Sequence, residues 1–312
     1  MTSPGYLTIS RDLLISRIRA IQERSSPCVL CPRHCRAKRK TGELGFCRTG
    51  IHPHVASFGP HFGEEQPISG TCGSGTIFFT GCTMGCRFCQ NYEISHERMG
   101  RELTKQDLAY IYLHLQALGC HNINLVTPTH QLPAILEALL IAIDAGLQIP
   151  LVYNTGGYED IDTLRLLEGI IDIYMPDFKF ADEKTGRILA HTPDYPQNCK
   201  AALCEMHRQV GDLTLENGIA THGLLIRHLL LPERGEESER IIRFIAEQIS
   251  PNTWLNIMDQ YRPAGDIRRF CPNEYSDLLR RVSDEEVARA IRIAQECGLT
   301  RGLEEENYTP GS

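Results

Sequence analysis

From residue 76 onward, short apolar runs alternate with longer segments whose apolar positions recur at helical spacing. The runs at 76–80, 123–126, 151–153, 171–174, 223–231 and 254–258 are rich in Ile, Val, Leu and aromatic residues. That composition suits strands buried on both faces. Between them, 104–118, 132–145, 161–168, 200–210 and 238–248 read as helices. Thr104 followed by Asp107, and Ser238 followed by Ile241, supply N-caps. Gly119 and Gly146 stand where helices stop. Strand–helix alternation over six units predicts an α/β fold with a parallel sheet and right-handed crossovers. Six units fall short of an eight-stranded barrel, so the pattern fits a partial barrel or an open doubly wound sheet. In either, chemistry gathers at the C-terminal strand ends.

The beginning of the chain has a different character. Residues 5–24 read as a helix, and 25–75 as a turn-rich, Cys-rich, irregular stretch without an apolar core of its own. The expected organisation is a helix and Cys-rich module over 1–70. A core over 71–312 follows, ending in a helical extension. With 42% hydrophobic residues in 312, the chain can bury one sizeable core. Arg11, Asp12, Arg17 and Arg19 interrupt any signal-peptide pattern, and no apolar run spans a bilayer. The expectation is a soluble, cytoplasmic protein with no membrane partner.

Charge adds one feature. Ten Lys and Arg face three Asp and Glu within residues 1–50, whereas the whole chain carries −7. The basic run Arg36, Lys38, Arg39, Lys40 reads either as a face for an acidic partner, such as a small electron carrier or RNA, or as a solvated surface.

The 13 cysteines change the picture most. In a reducing cytosol, clustered cysteines point to metal or redox chemistry rather than disulfides. Cys72, Cys120, Cys199, Cys204, Cys271 and Cys297 are isolated and read as core or surface residues. The other seven form two groups. Cys82, Cys86 and Cys89, spaced C-x3-C-x2-C, follow the first predicted strand directly. Three thiolates there suit an iron–sulfur cubane, each taking one iron and leaving the fourth open. A zinc site or a metal-free Cys-rich loop are the rival readings. Gly81 and Gly85 let the loop fold around a cluster. Cys28, Cys31, Cys35 and Cys47, spaced C-x2-C-x3-C-x11-C, could form a complete four-thiolate site. Structural zinc, an auxiliary iron–sulfur cluster and unligated thiols all remain open for it. Gly73-Ser74-Gly75-Thr76 precedes a strand and has no Lys, which excludes a phosphate loop.

C-x3-C-x2-C after the first strand, with the aromatic Phe88 before the last Cys, resembles the radical S-adenosylmethionine (SAM) superfamily signature. The wider chain resembles one subfamily, the PflX-like proteins related to pyruvate formate-lyase activating enzymes. The segments that carry this likeness are Cys28 to Cys35, Gly63-Glu64-Glu65, Gly73 to Thr76, Cys89 to Tyr92, Thr127-Pro128-Thr129-His130, Tyr153 to Tyr158, Arg227-His228-Leu229 and Gln260-Tyr261. The resemblance implies a partial (βα)6 barrel and an oxidoreductase. Its [4Fe–4S] cluster, held by Cys82, Cys86 and Cys89, would cleave SAM reductively to a 5′-deoxyadenosyl radical. It also implies an electron donor such as flavodoxin or ferredoxin.

Several strand-end residues become candidates on that basis. Phe88, Asn154, Thr155, Asp177, Lys179 and Arg227 are expected to hold SAM, and His130, Gln260 and Tyr261 to face substrate. Asp177-Phe178-Lys179 resembles the Asp-x-Lys segment of glycyl-radical activating enzymes, with a structural ion pair as the plainer reading. Arg227 offers a bidentate donor for the SAM carboxylate, and its neighbour His228 faces the opposite side as a core histidine. Where many family members carry Gly-Gly-Glu, this chain has Thr127-Pro128-Thr129-His130, with Thr127 or Thr129 as oxygen acceptors. The substrate expectation divides between a glycyl-radical protein partner and a small molecule, peptide or RNA. A non-catalytic metal-binding scaffold is the alternative of a different class.

Overall fold

A computed structural model describes residues 3–269 and 273–303. Cys271 and the end of the expected C-terminal extension lie outside the described residues. The strands are β1 (His54–His61), β2 (Ser74–Phe79), β3 (Arg101–Glu102), β4 (Ile123–Val126), β5 (Leu151–Thr155), β6 (Ile173–Pro176), β7 (Thr214–Glu216), β8 (Ile219–Leu229) and β9 (Trp254–Met258). The sheet runs β3-β1-β2-β4-β5-β6-β8-β7, with β9 also paired to β8. Every pairing from β2 through β4, β5, β6 and β8 to β9 is parallel. These are the six strands the apolar runs predict.

Helices supply the crossovers between them. Lys105–Ala117 starts with a capping box in which the Thr104 hydroxyl accepts from Asp107 N–H and Asp107 answers at Thr104 N–H. Leu132–Asp144 carries Leu132, Ile135, Leu136 and Leu139 inward. Gly119 and Gly146, at φ +85° and +94°, take the left-handed step after these two helices. Tyr195–Val210 and Gly235–Phe244 cover the later strands. Among the described residues no helix is long and apolar enough to cross a membrane.

Four expectations need correction. The helix expected over 5–24 is two, Gly5–Thr8 and Arg11–Arg24, because the Ser10 hydroxyl caps the second by accepting from Leu13 N–H. The strand expected from 171 starts at Ile173. Ser238 is no N-cap: it lies inside Gly235–Phe244, buried, with its hydroxyl against His228 Nε2 at 2.9 Å. The stretch 25–75 is not irregular throughout. It holds β1, which pairs antiparallel with β2 and extends the sheet beyond the parallel strands. β1 escapes a reading by periodicity because much of it, Phe58, Pro60 and His61 included, lies against solvent or half-buried.

Successive residues of β5 and β6 enter opposite faces, as a period of two requires. Tyr153 and Tyr174 join the large cluster under the helices. Val152, Ile173 and Met175 join a smaller one with Ile68, Leu213, Ala220 and Leu225. Strand register aligns Thr76, Asn124, Val152 and Ile173 across β2, β4, β5 and β6. Phe78, Val126, Asn154 and Met175 align one step further along. The face that carries the smaller apolar cluster therefore also carries Asn124 and Asn154, and the site grows from it.

Candidate active site

The chain leaves β2 through Thr80 and enters the loop that carries Cys82, Cys86 and Cys89. Gly81 and Gly85 both adopt positive φ, +80° and +74°. A side chain on Gly81 would also collide with the Cys47 carbonyl oxygen 2.5 Å away, and one on Gly85 would crowd the Phe46 ring at 3.0 Å. The glycines here serve conformation and close approach together. Met84 N–H donates to Cys82 Sγ at 3.3 Å, and Ser95 Oγ to Cys89 Sγ at 3.3 Å. Cys86 is buried and feels Lys179, Cys82 and Cys89 electrostatically. Burial raises the thiol pKa of Cys86 and Cys89, so a bound cation must displace the proton.

A [4Fe–4S] cluster fits this donor set. The sulfurs are soft donors on one short loop, and two already accept hydrogen bonds of the kind that tune such clusters. Among the described residues no three His, Cys, Asp or Glu side chains converge to grip a single ion. A cubane asks for less convergence, because each thiolate takes a different iron.

Beside the thiols lies a buried charge network. Asp177 follows β6, and Arg227 lies on β8, its neighbour in the sheet. Arg227 Nε donates to Asp177 Oδ1 at 2.8 Å, Nη2 to Asn154 Oδ1 at 2.7 Å and Nη1 to Glu64 Oε2 at 3.3 Å. Lys179 Nζ pairs with the other Asp177 oxygen. Burial alone would raise the Asp177 pKa, but Arg227 and Lys179 outweigh it and hold the carboxyl below its ordinary value. Burial opposes the charge on Arg227 too, and Asp177, Glu65 and Glu64 more than restore it. Glu64 differs: burial dominates over its longer contact with Arg227, and its pKa is raised.

Glu64 and Glu65 enter this site from the turn before the short helix Gln66–Ser69. Asn124 Nδ2 donates to Glu64 Oε1 at 3.2 Å, and Asn256 Nδ2 to Glu65 Oε1 at 2.8 Å. A cavity of about 390 Å³ opens here, lined by Glu64, Glu65, Arg227, Asn256, Met258 and Gln260 among others. A larger one of about 700 Å³, around Asp182, Arg234 and Glu286, lies away from the cysteines.

A second network sits below the ends of β4 and β5. Glu159 is fully buried and accepts from Thr129 Oγ1 at 2.6 Å, from Tyr153 OH at 3.2 Å and from Thr155 Oγ1. Burial pushes its pKa up to about 7, although these hydroxyls oppose the shift.

The structure thus brings Asn154, Asp177, Lys179 and Arg227 into one network. Thr155 turns its hydroxyl to Glu159. Phe88 is buried, edge-on to Phe180 and Tyr261 with ring centroids 6.0 and 5.9 Å apart. Among the substrate-side candidates, Gln260 lines the 390 Å³ cavity. Tyr261 is buried and donates to Leu278 O at 2.8 Å. His130 is buried and donates from Nε2 to Thr80 O at 2.7 Å, with its pKa lowered by burial to about 4. His228 donates from Nδ1 to Phe178 O at 2.7 Å, the packed-core arrangement. Thr127 adopts φ +58°, and its N–H bonds Asn154 O at 2.8 Å.

Asn124, Glu159 and Asn256 have no place in a reading from sequence, and Glu64 and Glu65 enter it only through the Gly63-Glu64-Glu65 segment of the family likeness, with no site role. The one available signal is the adjacency of two carboxylates after Gly63, since paired acids beside an apolar core must find partners.

Comparison with known proteins covers the same region. The model of the Radical SAM superfamily matches residues 76–245. That span includes the C-x3-C-x2-C loop, Asn154, Asp177 and Arg227, and excludes Cys28 to Cys47. An uncharacterized protein of Methanocaldococcus jannaschii is 30% identical over 300 residues, covering 93% of this chain and 81% of its own.

Proposed function

Because the chain belongs to the radical SAM superfamily, whose members are enzymes that use a [4Fe–4S] cluster and SAM, we propose that Cys82, Cys86 and Cys89 hold that cluster and that Asn154, Asp177, Lys179 and Arg227 hold SAM beside it. The observation that carries this reading is the adjacency of the thiol loop and the buried Asp177–Arg227 network at the ends of parallel strands. We read the six parallel strands as a partial (βα)6 barrel. When bound, the cluster and SAM supply one-electron reductive cleavage to a 5′-deoxyadenosyl radical.

The chain's own residues then do the binding and orienting. Arg227 can present a planar donor pair to a carboxylate. Asp177 holds that guanidinium in place and fixes Lys179 at the same time. Asn154 Oδ1 braces the far side of Arg227. The apolar wall of Phe88 and Phe180 limits water around the loop, which strengthens each of these electrostatic contacts. Gln260 stands on the substrate side. The PflX-like likeness favours a role related to glycyl-radical enzyme activation, with electrons from a flavodoxin or ferredoxin.

The test is anaerobic reconstitution with iron and sulfide, then SAM and dithionite, with 5′-deoxyadenosine as the readout. The wild type should produce it, and a Cys82→Ala, Cys86→Ala, Cys89→Ala triple variant should not. A fully loaded wild type that yields none and binds no SAM removes the catalytic reading and leaves a metal-binding scaffold.

A further inference from the structure

Cys28, Cys31, Cys35 and Cys47 lie outside the family match, yet they are packed against the loop of the first site. Three contacts join the two groups. Arg33, inside the C-x2-C-x3-C turn, donates from Nε to Thr83 O, from Nη2 to Met84 O at 3.0 Å, and more weakly to Ala190 O at 3.4 Å. The Arg33 guanidinium also lies 3.5 Å over the Phe46 ring, whose edge abuts Gly85. The Cys47 carbonyl closes over Gly81. Arg33 and Phe46, both within the second Cys group, therefore lie against the backbone between Cys82 and Cys86, and Cys47 lies against Gly81, just before Cys82.

The four thiols share one small region. Cys28 feels Cys35 and Cys47 electrostatically, and Cys31 feels Cys47 and Cys28. Cys28 and residues 36 and 37 are tied by Cys28 N–H to Ala37 O at 3.0 Å and Arg36 N–H to Cys28 O at 2.9 Å. Gly45 lies so close to Cys35 that a side chain there would meet its Sγ at 2.5 Å.

The segment carries little regular structure and is tied down chiefly by side chains: Arg39 donates to Gly50 O at 3.0 Å and to His130 O at 2.8 Å, and His34 pairs with Asp160 at 2.8 Å. From Ser26 to Pro53 the regular structure is one three-residue 3-10 turn, Arg39–Thr41. His34, Arg36 and Arg48, next to Cys35 and Cys47, all adopt positive φ without being glycine. Such residues each cost about 1 kcal/mol or more and persist only where their surroundings over-determine them. Cys28, Leu30 and Ala37 join the main core, whereas Cys31 and Cys47 are half-buried and Cys35 is exposed.

We propose that Cys28, Cys31, Cys35 and Cys47 bind a second, four-thiolate metal centre that clamps the N-terminal segment over the Cys82–Cys89 loop. Four cysteines close the coordination of the metal and leave no open position, so this centre holds structure or passes electrons and does not bind SAM. Among the described residues no three His, Cys, Asp or Glu side chains converge on one ion, which suits an iron–sulfur cluster, whose thiolates take separate irons, whereas zinc has to draw the four sulfurs together. The metal itself distinguishes them.

The experiment measures zinc, iron and acid-labile sulfide per chain after separate anaerobic loading with zinc or with iron and sulfide. It uses the Cys82→Ala, Cys86→Ala, Cys89→Ala triple variant, checked for folding by circular dichroism. Retention of about one zinc, or of about four irons with sulfide, per chain is expected. Adding Cys35→Ser or Cys31→Ser should then cut the retained metal at least severalfold. Single Cys31→Ser and Cys35→Ser substitutions in the otherwise intact chain give the same reading independently of how the triple variant folds. They should lower total metal by one centre. A folded triple variant that holds no metal under either loading overturns the proposal, as does metal that is indifferent to Cys31 and Cys35. Failure of SAM cleavage in the wild type would bear on the first site only, because this readout needs no SAM.

Discussion

Arg227 and Asp177 meet at 2.8 Å across the ends of two adjacent parallel strands, with the Phe178 N–H bonded to the Arg227 carbonyl at 2.8 Å beneath them. Their strand neighbours are far apart in sequence, and the pair is almost wholly withdrawn from solvent. A buried pair of this kind adds little net stability, but loss of one partner leaves an uncompensated charge. Arg227→Met should therefore strand Asp177, Glu64 and Glu65 and cost about 3–5 kcal/mol in urea unfolding. Arg227→Lys should recover part of that stability while losing the forked geometry, so SAM affinity, read by calorimetry, should stay impaired. Equal SAM affinity in the Lys variant and the wild type would remove Arg227 from the SAM site.

Glu159 makes stability depend on pH in an unusual direction. Its folded pKa of about 7 exceeds the ordinary 4.5 because burial disfavours the carboxylate. The folded chain thus keeps a proton that the unfolded chain releases, and stability drains as pH rises from about 4.5 through 7. The loss is on the order of 3 kcal/mol at 1.36 kcal/mol per pKa unit. Glu159→Gln keeps the shape and removes the ionisation. Its stability relative to wild type should rise by about that amount between pH 5 and pH 8. A pH-independent difference would show that Glu159 stays ionised. His130 and His228 act at the acid end: both are depressed to about 4 by burial, so their contribution is lost as pH falls from 6.5 through 4.

Gly157 tests the support behind Asp177. It sits at φ +78°, and a side chain there would run into the Asp177 carbonyl oxygen. That same oxygen accepts from Tyr195 OH at 2.8 Å. Gly157→Ala adds about 1–2 kcal/mol of backbone strain to the steric displacement. The melting temperature should fall, and SAM affinity should fall with it because Asp177 moves. A normal melting temperature with normal affinity would mean that the strand end yields without consequence.

The sequence alone determined the six parallel strands, most of their helices and the position of the three-cysteine loop just after β2. Buried strands need continuous apolar runs, and those runs survive in any register. The adjacency of Asn154, Asp177 and Arg227 was half visible, because each ends or interrupts a predicted strand. Tertiary structure alone decided that Arg227 faces the same side as Asn154 and Asn256. A one-residue change of register turns every side chain to the other face, and register depends on pairing between distant segments. It also decided that Glu64 and Glu65 enter the site, that Glu159 is buried under three hydroxyls, and that Arg33 ties the N-terminal Cys-bearing segment to the Cys82–Cys89 loop. These groups come from turns without periodicity, and their partners are chosen by the need to satisfy each buried charge or carbonyl once the chain has folded.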